Sequence, residues 1–337
     1  MPTAVLDEPR ESAPPRTDTM QAAVLVAPRT FELRTVPLPV PGPGDIRVRL
    51  EGCGVCASNV TPFEGPDWMS FPTAPGGLGH EGWGLVDAVG PDVTAFLPGD
   101  RVATLFGNSY AEYDVGPAEA AVRLPASLDG RPFPGEPLGC VMNILRRADI
   151  APGATVAVIG IGFLGALLTQ LASNAGARVI AISRRQASLD LARHMGAADV
   201  IAMDDHATVV NHVRHLTGGG FCQRVIEATG KPWPLDLAGD IVAEGGRLII
   251  AGYHQDGPRQ VNMQQWNWKG IDVINAHERD RDVYLRGVRA AIATVEAGLL
   301  SPEPLYTHRY PLSRLGDALA ATRDHPEGFV KALVMLQ

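Results

Sequence analysis

The chain has 337 residues, 45% of them hydrophobic and 20% charged, a length that favours two domains over one core and a composition ordinary for a globular protein. A formal net charge of −8 argues against a general affinity for nucleic acid or anionic membranes, and no apolar run approaches the roughly 20 residues of a membrane span. Four cysteines and no secretory h-region fit a cytoplasmic setting, where cysteine more often binds metal or does chemistry than forms disulfides.

Residues 1–19 carry four prolines, scattered charge and no apolar segment; they read as a disordered tail, and the folded chain is expected from Met20. From there to about Arg123, short strand patterns alternate with Gly and Pro breaks. "DIRVRL" points Ile46, Val48 and Leu50 one way and Arg47 and Arg49 the other, and "GWGLVDAVG" and "GDRVATL" read as further strands. This half predicts an antiparallel, barrel-like β domain. Pro137 then suits the first turn of a helix that runs to about Ile150.

From Ala154 strands and helical patterns alternate. "TVAVI", "RVIAIS", "DVIAM", "RVIEA", "RLIIAG" and "IDVINA" are the strands of a doubly wound parallel sheet. From about Arg279 a helix ("YLRGVRAAIATVEAG"), a proline-rich link and a strand ("FVKALVML") return to the first domain. The predicted class is α/β, with a barrel-like domain from 20–145 and 279–337 and a Rossmann domain from 146–278.

Gly160, Gly162 and Gly165 form G-x-G-x-x-G, with Phe163 and Leu164 between the last two. The motif follows an apolar strand, opens a helix and leads to a second strand within about 30 residues, the context of a dinucleotide-binding loop. The first glycine makes the turn, the second admits the pyrophosphate, and the third lets helix and strand pack. At the end of the second strand an NAD enzyme usually places an acid for the ribose 2′-hydroxyl. This chain has Ser183, Arg184 and Arg185, two guanidiniums and a hydroxyl suited to a 2′-phosphate, so NADP(H) is expected over NAD(H).

A catalytic zinc takes about three protein ligands from Cys, His and carboxylates, with an open fourth position. "GLGHEGWG" offers His80 and Glu81 in a glycine-framed turn, downstream of Cys56 in "EGCGVCASN". Taken in order, "GVCASN", "GHEGWGLVDAVGPDV", "PGDRV", "GEPLGC" and the glycine loop resemble the zinc-dependent medium-chain dehydrogenase/reductase superfamily, most closely its polyol, sorbitol and threonine dehydrogenase-like branch. The resemblance spans Met20 to the C-terminus. It implies a GroES-like catalytic domain, a Rossmann domain, and hydride transfer at a zinc in the cleft between them.

The resemblance implies Cys56 and His80 as ligands and Ser58 as the hydroxyl that takes the substrate proton. Glu81 stands where this branch carries a glutamate that enters the zinc shell or sits just behind it. Glu136 matches the carboxylate ligand of the branch, and Cys140, one turn on, is the alternative third ligand. Cys53 is expected to pack. The chain departs from the family in three places. "ATLFGNSYAEYDV" lacks the cysteines of the structural-zinc lobe, so one zinc is expected. Asn59 replaces the aspartate that orients the ligand histidine, although its amide can still accept that hydrogen bond. Thr61 replaces the relay histidine, so the proton leaves by another route.

Trp68, Phe71, Trp83 and Tyr110 fall in segments that the resemblance puts near the cleft, as do His277, Glu278 and Arg279. The polar residues suggest a hydroxylated substrate and the tryptophans an apolar one. The expected activity is hydride transfer between NADP(H) and a secondary alcohol or polyol, or the matching ketone or aldehyde. The alternative is a metal-free quinone or enoyl reductase on the same fold. Partners are expected to be a small-molecule substrate and further copies of the chain, as a homodimer or homotetramer, without nucleic acid or membrane.

Overall fold

The computed structural model describes residues 18–336. In its first part run β1 (Thr19–Ala27), β2 (Thr30–Pro37), β3 (Asp45–Gly54), α1 (Val60–Glu64), β4 (Gly82–Val89), β5 (Arg101–Thr104), β6 (Tyr113–Pro117) and β7 (Ala121–Arg123). Then come α2 (Gly135–Ala148), β8 (Thr155–Ile159), α3 (Phe163–Asn174), β9 (Arg178–Ser183), α4 (Gln186–His194), β10 (Asp199–Ala202), α5 (His206–Leu216), β11 (Cys222–Glu227), α6 (Pro232–Ile241), β12 (Val242–Ile250), α7 (Met263–Lys269) and β13 (Asp272–Asn275). The chain closes with α8 (Arg281–Glu296), β14 (His308–Pro311), α9 (Leu315–Asp324) and β15 (Ala332–Met335). Strand β1 starts one residue before the expected Met20, because Thr19 pairs with Pro37 at the end of the β1–β2 hairpin. The rest of the expected tail, residues 1–17, lies outside the described residues.

Two larger sheets carry the fold. One has the order β14-β15-β3-β4-β5-β7, with β6 also on β3. It is antiparallel except between β14 and β15. Ile46, Val48 and Leu50 are buried and Arg49 is exposed, as strict alternation on a half-buried sheet requires. The second sheet is parallel, in the order β10-β9-β8-β11-β12-β13. Strand order reverses between β8 and β11, and in open α/β sheets ligands bind beyond the strand ends at such a switch point. Val156, Ala157, Val158 and Ile159 of β8 are all fully buried, the continuous apolar run of a central parallel strand covered on both faces.

The helix that joins the sheets is α2. Its first turn is wedged: a Cβ on Gly135 would lie 2.6 Å from the Ala103 methyl on β5 and 3.1 Å from Val288 on α8. A Cβ on Gly139 would lie 2.8 Å from Val288, and one on Gly287 would lie 2.6 Å from the Gly139 carbonyl. These three glycines let α2 and α8 approach backbone to backbone. Leu138, Val141, Val288 and Ala291 then share one apolar cluster with Leu167 and Leu168 of α3. Truncating a large side chain in such a core costs about 2–5 kcal/mol, which fixes the placement of whatever α2 carries at its N-terminus. That residue is Glu136.

Candidate active site

Strand β3 ends in Gly54, and Cys56 follows in the turn before α1. Here the two cysteines of "EGCGVC" part company. Cys53 is fully buried among Val55, Phe63 and Leu319, whereas Cys56 joins His80 and Glu81 in a group whose donor atoms all lie within 4.8 Å of one another. Among the described residues this is the group with metal-ligand chemistry. Gly54 makes it sterically possible, because a Cβ there would fall 1.8 Å from Glu81 Oε2.

Each donor is held from behind. The Ser58 hydroxyl donates to Cys56 Sγ at 3.1 Å. His80 Nδ1 lies 3.0 Å from the Leu78 carbonyl, which fixes the ring with Nδ1 protonated and leaves Nε2 as the free donor. Asn59 does not receive that hydrogen bond, contrary to its expected part. Its amide nitrogen donates instead to the same Leu78 carbonyl, at 2.8 Å, and to the Tyr110 hydroxyl, at 3.0 Å. The physical reason is that the backbone carbonyl of the "GLGH" turn comes closer to the ring than the side chain does. Asn59 thus steadies the carbonyl that steadies the histidine.

Glu81 is buried with Lys331, which precedes β15. The ammonium lies 2.7 Å from Oε1 and 2.6 Å from Oε2, but the geometry at Oε2 is not that of a hydrogen bond, and that buried oxygen is left without a donor. Burial disfavours the charge on Lys331, yet Glu81, Cys56 and Glu136 around it outweigh this and raise its proton affinity. The same ammonium sits 5.1 Å from the Phe163 ring centroid, a cation–π contact that ties the cluster to the glycine loop. Sequence reasoning missed Lys331. A lone charge in the otherwise apolar "FVKALVML" was the available signal, since Lys is almost never buried unless paired.

Glu136 stands outside the closest grouping of three, but its charge reaches His80 and Lys331. Burial raises its own carboxyl pKa, against an opposing pull from His80. Its Oε1 accepts from the Tyr284 hydroxyl and lies 3.6 Å from Cys140 Sγ. Burial also pushes the Cys140 thiol well up. For His80, burial lowers basicity, but the hydrogen bond and charge of Cys56, with Glu136 and Glu81 further out, raise its pKa to about 10. A thiol, an imidazole with one free nitrogen, an undersatisfied buried carboxylate oxygen and a second carboxylate nearby are a donor set that fits a divalent zinc.

The dinucleotide loop also fits its ligand. Gly160 has φ 94°, and a Cβ there would meet the Thr229 methyl at 2.4 Å; a Cβ on Gly165 would lie 1.9 Å from the Gly160 carbonyl oxygen. Gly162 precedes the first turn of α3 and has open space where its Cβ would be, the cradle that a pyrophosphate fills. Phe163 stacks on Tyr306, with ring centroids 5.8 Å apart, and Leu164 packs at the edge of the same apolar cluster. Ser183 is buried at the end of β9, Arg184 is exposed and Arg185 precedes α4. Among the described residues neither guanidinium has a carboxylate partner. Burial and then Arg184 disfavour the charge on Arg185, and burial followed by both arginines lowers the basicity of His325. This corner is therefore rich in uncompensated positive charge.

The aromatic candidates divide. Trp83 and Tyr110 are fully buried core residues, not cleft linings, because β4 turns the indole inward and Asn59 holds the phenol. Phe71 packs on the apolar cluster around Phe63, and Trp68 is exposed. Glu278 accepts from the backbone N–H groups of Arg279 and Asp280, which occupies its carboxylate in the lead-in to α8. His277 stands edge-on to Tyr253, ring centroids 5.2 Å apart.

A GroES-like sheet and a six-stranded parallel Rossmann-type sheet, with Cys56, His80 and Glu81 grouped after β3 and before β4, define a class: two-domain oxidoreductases with a dinucleotide-binding fold. Comparison with known proteins agrees with it. Residues 42–126 match the alcohol dehydrogenase GroES-like domain, and residues 164–292 match the zinc-binding dehydrogenase family. The chain is 32% identical to an alcohol dehydrogenase of Rhizobium meliloti, over 69% of this chain and 77% of that one. It is 26% identical to a sorbitol dehydrogenase of Halalkalibacterium halodurans, over 87% and 92%, and 31% identical to a quinone oxidoreductase of Pseudomonas aeruginosa, over 74% and 78%. The chain belongs to the zinc-type medium-chain dehydrogenase/reductase superfamily. Among the described residues no helix is long and apolar enough to cross a membrane.

Proposed function

We propose that the protein is a zinc-dependent, NADP(H)-preferring oxidoreductase that interconverts a secondary alcohol or polyol with its ketone, or an aldehyde with its alcohol. The observation that carries this reading is the close grouping of half-buried Cys56 and His80 with buried Glu81, with Glu136 at the start of α2. Cys56, His80 and Glu136 would hold one zinc. Glu81, already paired with Lys331, would add its charge to the site. A zinc bound there supplies a Lewis acid that polarises the substrate oxygen, and the nicotinamide supplies or accepts the hydride.

The chain's own groups do the rest. Ser58 Oγ, two residues past Cys56 and hydrogen-bonded to its sulfur, would take the substrate hydroxyl proton in oxidation and return it in reduction. Leu78 and Asn59 keep His80 in the tautomer with Nε2 free. The glycine loop holds the pyrophosphate against the N-terminus of α3, and Ser183, Arg184 and Arg185 receive the 2′-phosphate. Two features favour a homodimer or homotetramer: β13 is an edge strand, and Trp268 and Met263 beside it are exposed.

The second reading, a metal-free quinone or enoyl reductase, has the Pseudomonas relative in its favour, but it gives the buried donor set no task. Oxidation of NADPH and of NADH by the purified protein, followed over a panel of ketones, aldehydes, ketoses and quinones, separates the two. Turnover of ketones that stops on chelation and returns with zinc supports the proposal. Quinone turnover that is indifferent to chelation overturns it.

A further inference from the structure

The charged cluster receives one contact from a part of the chain that the sequence motifs do not touch. Tyr284 lies in the first turn of α8, just after Asp280, whose carboxylate caps the helix by accepting from the N–H groups of Asp282 and Val283. The Tyr284 hydroxyl donates to Glu136 Oε1 and lies 2.6 Å from Cys140 Sγ. Glu136 and Cys140 are four residues apart on α2 and so share one face, and Cys140 Sγ is 3.6 Å from that same Glu136 oxygen. The three groups form a closed triangle in which every polar contact to the glutamate falls on Oε1.

The triangle is set by backbone, not by chance rotamers. Gly135, Gly139 and Gly287 allow the close approach of α2 and α8, and a Cβ on any of them would overlap the opposite helix or its neighbour. With the helices fixed at this spacing, the phenol reaches the carboxylate and no further. Oε2 is left without a protein donor among the described residues, on a carboxylate whose charge is felt at His80.

We infer that Tyr284 is a positioning residue: by engaging Oε1 it aims Oε2 of Glu136 at the Cys56–His80–Glu81 cluster, with Cys140 serving as the backstop of the phenol and not as a metal donor. This rests on the reading of the cluster as a zinc site. Removing a group that orients a metal ligand typically costs 10- to 100-fold in metal affinity.

The test uses the full chain, with zinc affinity measured by competition against a chromophoric chelator and with cobalt loaded in place of zinc to read its thiolate charge-transfer band. Tyr284→Phe keeps the ring and deletes only the donor. The expected result is zinc affinity lowered about 10- to 100-fold, an unchanged unfolding midpoint, and a cobalt–thiolate band of undiminished intensity. Cys140→Ser is expected to leave that band unchanged, because Cys56 alone supplies the sulfur. Unaltered zinc affinity in Tyr284→Phe, beside a clear loss in Glu136→Gln, overturns the role of Tyr284 while the zinc site stands. Unaltered affinity in Glu136→Gln as well removes the ligand assignment on which the inference rests. A band that falls by about half in Cys140→Ser makes Cys140 a donor and overturns its part as backstop.

Discussion

The dinucleotide corner and the metal-capable cluster touch through Phe163 and Lys331 but are built by opposite means. The corner is one contiguous stretch, Gly160 to Arg185, and depends on side chains that are missing: the loop closes because Gly160 and Gly165 have no Cβ. Its unpaired charges, Arg184 and Arg185, lie at its margin, while Arg178 within it is paired with Asp199. The cluster is assembled from residues as far apart as Cys56 and Lys331, and it consists of buried charges facing one another. The comparison teaches where each region is vulnerable. The corner should fail by steric overlap and keep its electrostatics, and the cluster should fail by unbalanced charge and keep its shape.

The largest effect is expected from Lys331→Met, which strands the Glu81 carboxylate. Removing one partner of a buried ion pair costs about 3–5 kcal/mol, to be read from urea unfolding, and Glu81→Gln in the same chain should restore most of it because the two changes share one interaction. In the corner, Gly165→Ala drives a methyl into the Gly160 carbonyl. NADPH affinity should fall about 100-fold, or ~2.7 kcal/mol, in a fluorescence titration, while zinc content stays at the wild-type level. A loss of both would mean that the two regions are not separable in this way. Arg184→Asp tests the margin of the corner. A charge-assisted hydrogen bond is worth about 1.5–3 kcal/mol, so NADPH binding should weaken roughly 10- to 150-fold with NADH little affected.

The last effect is graded with pH and small for each step of one unit. The pKa of His80 is raised to about 10 from an ordinary value near 6.5, so without metal it holds its proton across neutral pH. Zinc requires the neutral ring, and binding must expel that proton. Zinc affinity should therefore rise from pH 7 toward 10, by about tenfold per unit for each proton that binding expels. Calorimetry in two buffers of different ionisation enthalpy would count the proton released.

The two regions also differed in how far they could be read in advance. The glycine loop, its flanking strands and the arginines after β9 were legible because the interaction is local: strand, turn and helix start lie within about 30 residues, and β8 and β9 fall on the expected segments. Cys56, His80 and Glu81 were legible as types and came together as a group. What supports them was not. Lys331 and Tyr284 reach the cluster only through the return of the C-terminal segment and the packing of α8 on α2, contacts with no periodicity of their own. Asn59 was read as a partner for His80 because side-chain substitution suggests side-chain replacement; a sequence does not reveal that the Leu78 carbonyl would arrive first. Trp83 and Tyr110 went to the core because large aromatics bury area wherever the sheet allows it.

The central claim, that the cluster around Cys56 is a single zinc site on which turnover depends, is tested most directly by metal analysis of the purified protein beside Cys56→Ser, with NADPH-dependent reduction measured on the same samples. The account predicts one zinc per chain in the wild type, and in the variant loss of both zinc and ketone reduction. A wild-type protein that turns over ketones without zinc, or a Cys56→Ser protein that keeps metal and activity alike, would contradict it.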